Sequence, residues 1–430
     1  MEIFINPEQS RWDELSSRPA SSNPAVREAV VKILERVKAG GDDALRELSL
    51  EIDRRPLGEI EVSREEILSA EEKVKPEVKE AIGRALENIR AFHSAQKSAG
   101  VDIETAPGVR CIQKPVPIER VGLYIPGGTA PLFSTVLMLA IPAKIAGCGL
   151  VELCTPCGKD GAICPEVLYA ASVCGVDRVF RIGGAQAIAA MAYGTRSVCR
   201  VDKIFGPGNQ WVTTAKQLLS AGTVAIDMPA GPSEVMVLAD SKGADPAFVA
   251  SDLLSQAEHG ADSQAMLVCD RADFADKVLK QLEIQKASLP REEYVEKSLS
   301  KSRCVVFSSE EKMAAFANHY APEHLIVSTS DPWGMTERIT TAGSVFVGNY
   351  TPESAGDYAS GTNHTLPTCG WAHSFSGVNL DSFTRKMTIQ HISREGLEGL
   401  AGTIVAMADA EGLSAHAGAV LIRTKNHDTL

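Results

Sequence analysis

Apolar positions near the start of the chain recur at helical spacing. Val26, Val30, Ile33, Leu34 and Val37 step by three and four residues, a pattern that predicts an amphipathic helix. Asn23-Pro24 supplies a cap and first-turn pair before it, and Gly40-Gly41 a stop after it. A second helical stretch is predicted over 64–98, interrupted near Pro76. His93, four residues after Ile89 on that stretch, reads as a buried or flanking histidine rather than a site residue.

From 120 to 240 the texture changes. Short β-branched runs at 121–125, 150–155, 178–182, 203–205, 224–226 and 235–239 alternate with Ala-rich helical stretches. That alternation predicts βα units in a parallel sheet with helices on both faces. A second, less regular α/β stretch follows from 245 to 347, with strands expected at 265–269, 304–307 and 344–347. The tail, 381–430, is expected to be mostly helical. The expected segments are an extension over 1–22, an α/β lobe built from 23–120 and 236–378, a Rossmann-like lobe over 121–235, and a helical extension over 379–430.

Composition narrows the function. The chain has 430 residues, 44% hydrophobic and 23% charged, with a formal net charge of −12. This is a globular composition. Its acidity, and the absence of Lys/Arg runs interleaved with aromatics, speak against a nucleic-acid partner. The N-terminal MEIFINPEQSRWDEL has neither the basic start nor the apolar core of a signal peptide. No apolar run is long enough for a membrane span, and ten cysteines without a secretion signal suit a reducing cytoplasm. Cys154-Thr-Pro-Cys157 has redox or zinc spacing but no second CxxC, so these read as plain thiols.

Candidate chemistry falls into two groups. On the nucleotide side, Gly206-Pro-Gly208-Asn209-Gln-Trp211 follows a strand and opens a helix, but Trp211 stands where the dinucleotide fingerprint has its third glycine. Asp227 falls near the distance of a ribose-binding acid, and glycine turns at Gly127-Gly128 and Gly183-Gly184 end other strands. Such turns suit either a phosphate-bearing ligand or a purely structural role. On the acid–base side, eight of the nine histidines lie between His259 and His427. Gln256 and His259 share one helical face, Asp357 and His364 lie in a Gly-rich segment, and Glu411 and His416 flank Gly412. Carboxylate, imidazole and amide oxygen together suit zinc with an open position. Pro322-Glu323-His324 admits two readings, a catalytic acid–imidazole pair or a helix start with Pro at its first position and Glu favouring the dipole.

Taken together, the segments ERVGLYIPGG (119–128), GGAQAI (183–188), DKIFGPGN (202–209), DMPAGPSE (227–234), SDLLSQAEHG (251–260), APEHL (321–325), TPESAGDYASGTNH (351–364) and AEGLSAH (410–416) resemble histidinol dehydrogenase. The resemblance implies two incomplete Rossmann-like α/β lobes with helical extensions, in an intertwined homodimer. It implies a cytoplasmic enzyme that oxidises L-histidinol to L-histidine through a bound aldehyde, with two NAD+ reduced. Gln256, His259, Asp357 and His416 would hold one Zn2+ per subunit, His416 coming from the partner subunit. Tyr124, Gln186 and Asn209 would contact NAD. Ser233, His364 and Glu411 would grip the substrate with Gln256, His259, Asp357, His416, Glu323 and His324, the last two also being the acid–base residues. Rival readings are a related zinc/NAD dehydrogenase acting on another amino alcohol or polyol, a zinc hydrolase using Glu323 and His324, and a non-catalytic binding protein.

Overall fold

The computed structural model describes residues 1–18, 24–127, 131–158 and 160–424, so the expected cap Asn23 and Gly128 lie outside the described residues. Among the described residues the strands are β1 (Glu2–Ile5), β2 (Val101–Ala106), β3 (Val109–Pro117), β4 (Arg120–Tyr124), β5 (Leu150–Cys154), β6 (Arg178–Phe180), β7 (Lys203–Phe205), β8 (Ala225–Ile226), β9 (Glu234–Ala239), β10 (Gln264–Cys269), β11 (Arg303–Val306), β12 (His324–Ser328), β13 (Ser344–Val347) and β14 (Thr384–Ile392). The chain divides into two compact units, Met1–Gln96 with Ile118–Phe383, and Lys97–Pro117 with Thr384–Leu430.

The first unit holds two parallel sheets. One has the order β6-β5-β4-β7-β8, which along that lobe is the doubly wound order without its sixth strand. Winding reverses between β4 and β7, so the carboxyl ends at Tyr124 and Phe205 flank the crevice where such sheets bind ligands. Helices Arg64–Lys73, Pro76–Ser94, Phe133–Ala146 and Pro165–Cys174 cover one face, and Pro24–Ile52, Gly184–Tyr193 and Gln210–Ser220 the other. Every residue from Ser134 to Ala143 is buried, because that helix is enclosed by the sheet and two neighbouring helices.

The other sheet has the order β1-β11-β10-β9-β12-β13. Strands β9, β10 and β12 are buried at every position, which is why their sequences run apolar without alternation. The second unit is an antiparallel sheet, β14-β3-β2, with helices Arg394–Ala410 and Ser414–Thr424 packed on each other. Among the described residues no helix is long and apolar enough to cross a membrane.

Several segments depart from expectation. The apolar stripes of residues 24–94, Val30 and Leu34 on one helix and Ile82 and Ile89 on another, complete the two cores of the five-stranded sheet rather than the core of 236–378. The first residues are not an extension, since β1 pairs with β11 as an edge strand. Residues 384–392 form β14, not helix, and take their hydrogen bonds from β3. The expected stop at Gly41 is met: at φ 53 it ends the first helical run, and a second run to Ile52 folds back so that Arg36 pairs with Glu47 and Glu51.

Candidate active site

The acid–imidazole pair is positioned by the end of one helix and the start of one strand. Ala321, at φ 51, closes helix Glu310–Tyr320 with its N–H on the Ala317 carbonyl at 2.8 Å. Pro322 cannot extend that helix, and the chain enters the sheet at His324, between Val235 and Ser344. The helix-start reading of Pro322-Glu323-His324 is therefore overturned. Glu323 and His324 are both buried. The Glu323 Oε2 accepts from the Glu234 N–H at 2.8 Å. The His324 Nδ1 lies 3.2 Å from the Glu234 carbonyl and 3.5 Å from Glu323 Oε2 and from Glu353 Oε1, while Nε2 lies 3.6 Å from Asp357 Oδ1. Behind them Arg18 grips the buried Glu234 carboxylate with two hydrogen bonds, of 2.8 and 3.0 Å.

Two helix ends bring up the remaining polar groups. Helix Pro246–Ala257, capped at its start by Asp245, carries Gln256 in its last turn, and the His259 N–H donates to the Gln256 carbonyl at 3.2 Å. The Gln256 side chain is fully buried and both amide atoms lack a partner. Helix Glu353–Tyr358 places Glu353 and Asp357 four residues apart on one face. Ligand atoms of His259, Glu353 and Asp357 lie within 4.8 Å of one another. Glu353, absent from the sequence expectation, is 1% exposed and neither of its carboxyl oxygens has a hydrogen-bond partner. Helical face-sharing, the criterion that paired Gln256 with His259, also pairs Glu353 with Asp357, but it does not reveal that Glu353 is buried. His364 is held by the Asp357 carbonyl at 2.9 Å on Nδ1 and by Thr135 Oγ1 at 3.1 Å on Nε2. Ser233, His259 and His364 line one cleft of about 470 Å³.

Burial and charge compete across this cluster. At His324 burial opposes the charged form, but Glu353, Glu323 and Asp357 outweigh it and hold the imidazole well above its ordinary value. Burial pushes the Glu353 carboxyl up. Burial would raise Asp357 too, yet the facing His324 keeps it below the usual carboxylate range. Burial lowers His364. Buried carboxylates with unpartnered oxygens beside an unpartnered amide are costly unless a cation joins them. The donor set of amide, imidazole and carboxylate fits zinc. Glu411 and His416 belong to the second unit, where both are exposed, Glu411 at the end of helix Arg394–Ala410 and His416 in the first turn of Ser414–Thr424.

Ser233, Glu323 and His324 stand at the amino ends of β9 and β12, opposite to the usual carboxyl-end placement in open α/β sheets. The carboxyl end of β9 is instead closed by Asp240, which accepts from the backbone N–H groups of Lys242, Gly243 and Ser330.

On the nucleotide side, Tyr124, Gln186 and Asn209 line a second cleft, of about 490 Å³, at the carboxyl ends of β4 and β5 and the starts of helices Gly184–Tyr193 and Gln210–Ser220. Tyr124 is buried, its hydroxyl accepting from the Gly184 N–H at 3.0 Å, and burial raises its pKa to about 12. Asn209 Oδ1 caps its helix, accepting from the N–H groups of Trp211 and Val212. Gly206, at φ 123, passes so close to the Tyr124 carbonyl that no side chain fits there. Asp227 is no ribose acceptor. It is locked by Lys216 at 2.5 Å and by the N–H of Gly206 at 2.8 Å. Cys154 and Cys157 are free thiols, both raised by burial.

The switch-point crevice and the histidine–carboxylate cluster define a nucleotide-linked α/β oxidoreductase. The histidinol dehydrogenase family profile matches residues 16–424. A histidinol dehydrogenase of Bacteroides thetaiotaomicron is 53% identical over 423 residues, covering 98% of this chain and 99% of the relative. That of Escherichia coli K12 is 53% identical over 419 residues, covering 97% and 95%. The crystal structure of histidinol dehydrogenase from Elizabethkingia anophelis superposes with a TM-score of 0.95 at 49% identity, covering 98% of both chains. The chain belongs to the histidinol dehydrogenase family and is an NAD-linked dehydrogenase of that kind.

Proposed function

We propose that the chain oxidises L-histidinol to L-histidine in two steps at one site, with the aldehyde retained between them. The observation that carries this reading is the buried pair Glu323 and His324 set against the group His259, Glu353 and Asp357. Gln256, His259 and Asp357 would hold one zinc ion per subunit, with His416 contributed by the other copy of a homodimer. When bound, the ion supplies a positive centre that orients and polarises the substrate's imidazole and amino groups.

The protein's own residues divide the work. Ser233, His364 and Glu411 orient histidinol alongside the ligand residues. His324 accepts the alcohol proton as hydride leaves the carbinol carbon for the nicotinamide, giving aldehyde and NADH. Glu323, fixed by the Glu234 N–H, takes a proton from the water that attacks the aldehyde carbon. Hydride then leaves the hydrated carbon for a second NAD+, His324 again accepts a proton, and the carboxylate forms. Water attack is preferred to a thioester because burial pushes Cys369, the thiol that feels the Glu323 charge, up to about 11 and leaves it a poor nucleophile. Tyr124, Gln186 and Asn209 would bind NAD, and the enzyme would work in the cytoplasm.

The test is stoichiometry. Purified protein with limiting L-histidinol and excess NAD+ is expected to yield two NADH per substrate. One NADH would mean that aldehyde is released. None with histidinol, but turnover with another amino alcohol, would move the substrate assignment within the same chemistry. Prior chelation should abolish turnover and zinc restore it, with metal analysis giving one zinc per chain.

A further inference from the structure

The proposed nucleotide site lacks the acid that such sites use on the adenosine ribose. In doubly wound sheets an acidic side chain about 20 residues beyond the glycine turn binds the ribose hydroxyls. Asp227 stands 21 residues beyond Gly206 but is spent on Lys216 and the Gly206 N–H. The turn after β5, Thr155-Pro-Cys-Gly158, carries no carboxylate.

A different element supplies one. Arg54, in the left-handed conformation at φ 54, turns the chain away from the end of helix Pro24–Ile52, with the N–H groups of Asp53 and Arg55 both directed to the Ser49 carbonyl. This turn brings Asp53 and Arg55 to the cleft of Tyr124, Gln186 and Asn209, and among the described residues they are its charged lining. Ile52, 49% exposed, lines the same cleft together with Ile33 and offers an apolar contact for a purine. Asn209 and Trp211 line both this cleft and the one holding Ser233, His259 and His364. A dinucleotide whose nicotinamide reaches the histidines therefore places its adenosine half here.

We propose that Asp53 accepts the adenosine ribose hydroxyls and so selects NAD over NADP, with Arg55 as its counter-charge. A 2′-phosphate would meet the Asp53 carboxylate, whereas a diol satisfies both its oxygens. Desolvation at the cleft wall raises the Asp53 carboxyl against the opposing pull of Arg55 and a hydrogen bond from Ser49. With Asp53 removed, Arg55 remains to attract a 2′-phosphate. This inference rests on the nucleotide site proposed above.

Initial rates with saturating histidinol test it, titrating NAD+ and NADP+ against Asp53→Ala and the milder Asp53→Asn. The ratio of kcat/KM for NAD+ to that for NADP+ is expected to fall at least tenfold, through a higher KM for NAD+ with kcat nearly unchanged. Adding Arg55→Ala should erase the gain toward NADP+. A ratio within twofold of the parent in both Asp53 variants overturns the inference. Gln186→Ala and Asn209→Ala, run in parallel, separate the two failures. If they raise the KM for NAD+ while Asp53 variants keep the ratio, only the ribose assignment falls; if they too leave it unchanged, the nucleotide site itself is wrong.

Discussion

At the scale of single residues, the histidine and the glutamate that adjoin in sequence face different neighbours. Glu323 is pinned by a backbone N–H at 2.8 Å, whereas His324 is ringed by Glu353 and Asp357. Separate roles follow. His324→Ala is expected to slow both oxidations by about 10²- to 10⁴-fold, the usual worth of a positioned general base. Glu323→Gln should stall the aldehyde step by a similar factor while alcohol oxidation stays within about tenfold. Single-turnover assays begun separately from histidinol and from the aldehyde measure this, and equal losses in both variants at both steps would refute the division. Legibility at this scale was uneven. Gln256 with His259 could be read from helical spacing. Glu353 could not be told from a solvated acid, because its burial depends on the sheet that closes over it.

At the scale of elements, the Gly206 turn shows how a strand end becomes a ligand platform. Lys216, two helical turns beyond Asn209, reaches back to donate to the Gly206 carbonyl at 2.8 Å and to pair with Asp227. Both charged groups are almost fully buried, so breaking the pair leaves an uncompensated charge. Lys216→Met is expected to cost about 3 kcal/mol of stability and to raise the KM for NAD+. Chemical denaturation and initial rates check this, and a loss below about 1 kcal/mol would show that Asp227 is satisfied by its backbone donors alone. The elements that sequence patterning missed are short or lack a core of their own. Strand β1 is four residues at a sheet edge, and β14 is exposed along most of its length, so its apolar alternation carries little signal. β12, His-Leu-Ile-Val-Ser, was masked by the Pro322 that precedes it.

At the scale of the whole molecule, two predictions concern what joins the parts. Removing a resident metal should lower the unfolding temperature as well as activity, because an ion that binds only the folded state stabilises it by about 3 kcal/mol at a hundredfold excess over its Kd. Differential scanning with and without chelator reads this directly, and an unchanged transition would argue against a bound ion. For the proposed homodimer, mixing His324→Ala with His416→Ala copies should restore about a quarter of parental activity, since half the dimers are mixed and one site in each is intact. No restoration would place His416 in its own chain's site.

What the sequence determined by itself was local. Period and length sufficed for the βα units, since each strand and helix buries its own apolar face, and long ordered motifs sufficed for the family. What the tertiary structure decided was partnership. It put residues 24–94 on the five-stranded sheet, exchanged Asp227 from ligand acceptor to structural lock, and set the acid–imidazole pair at the amino ends of β9 and β12. Those outcomes turn on which buried charge meets which partner across hundreds of residues, a matter of distance in space that no spacing along the chain encodes.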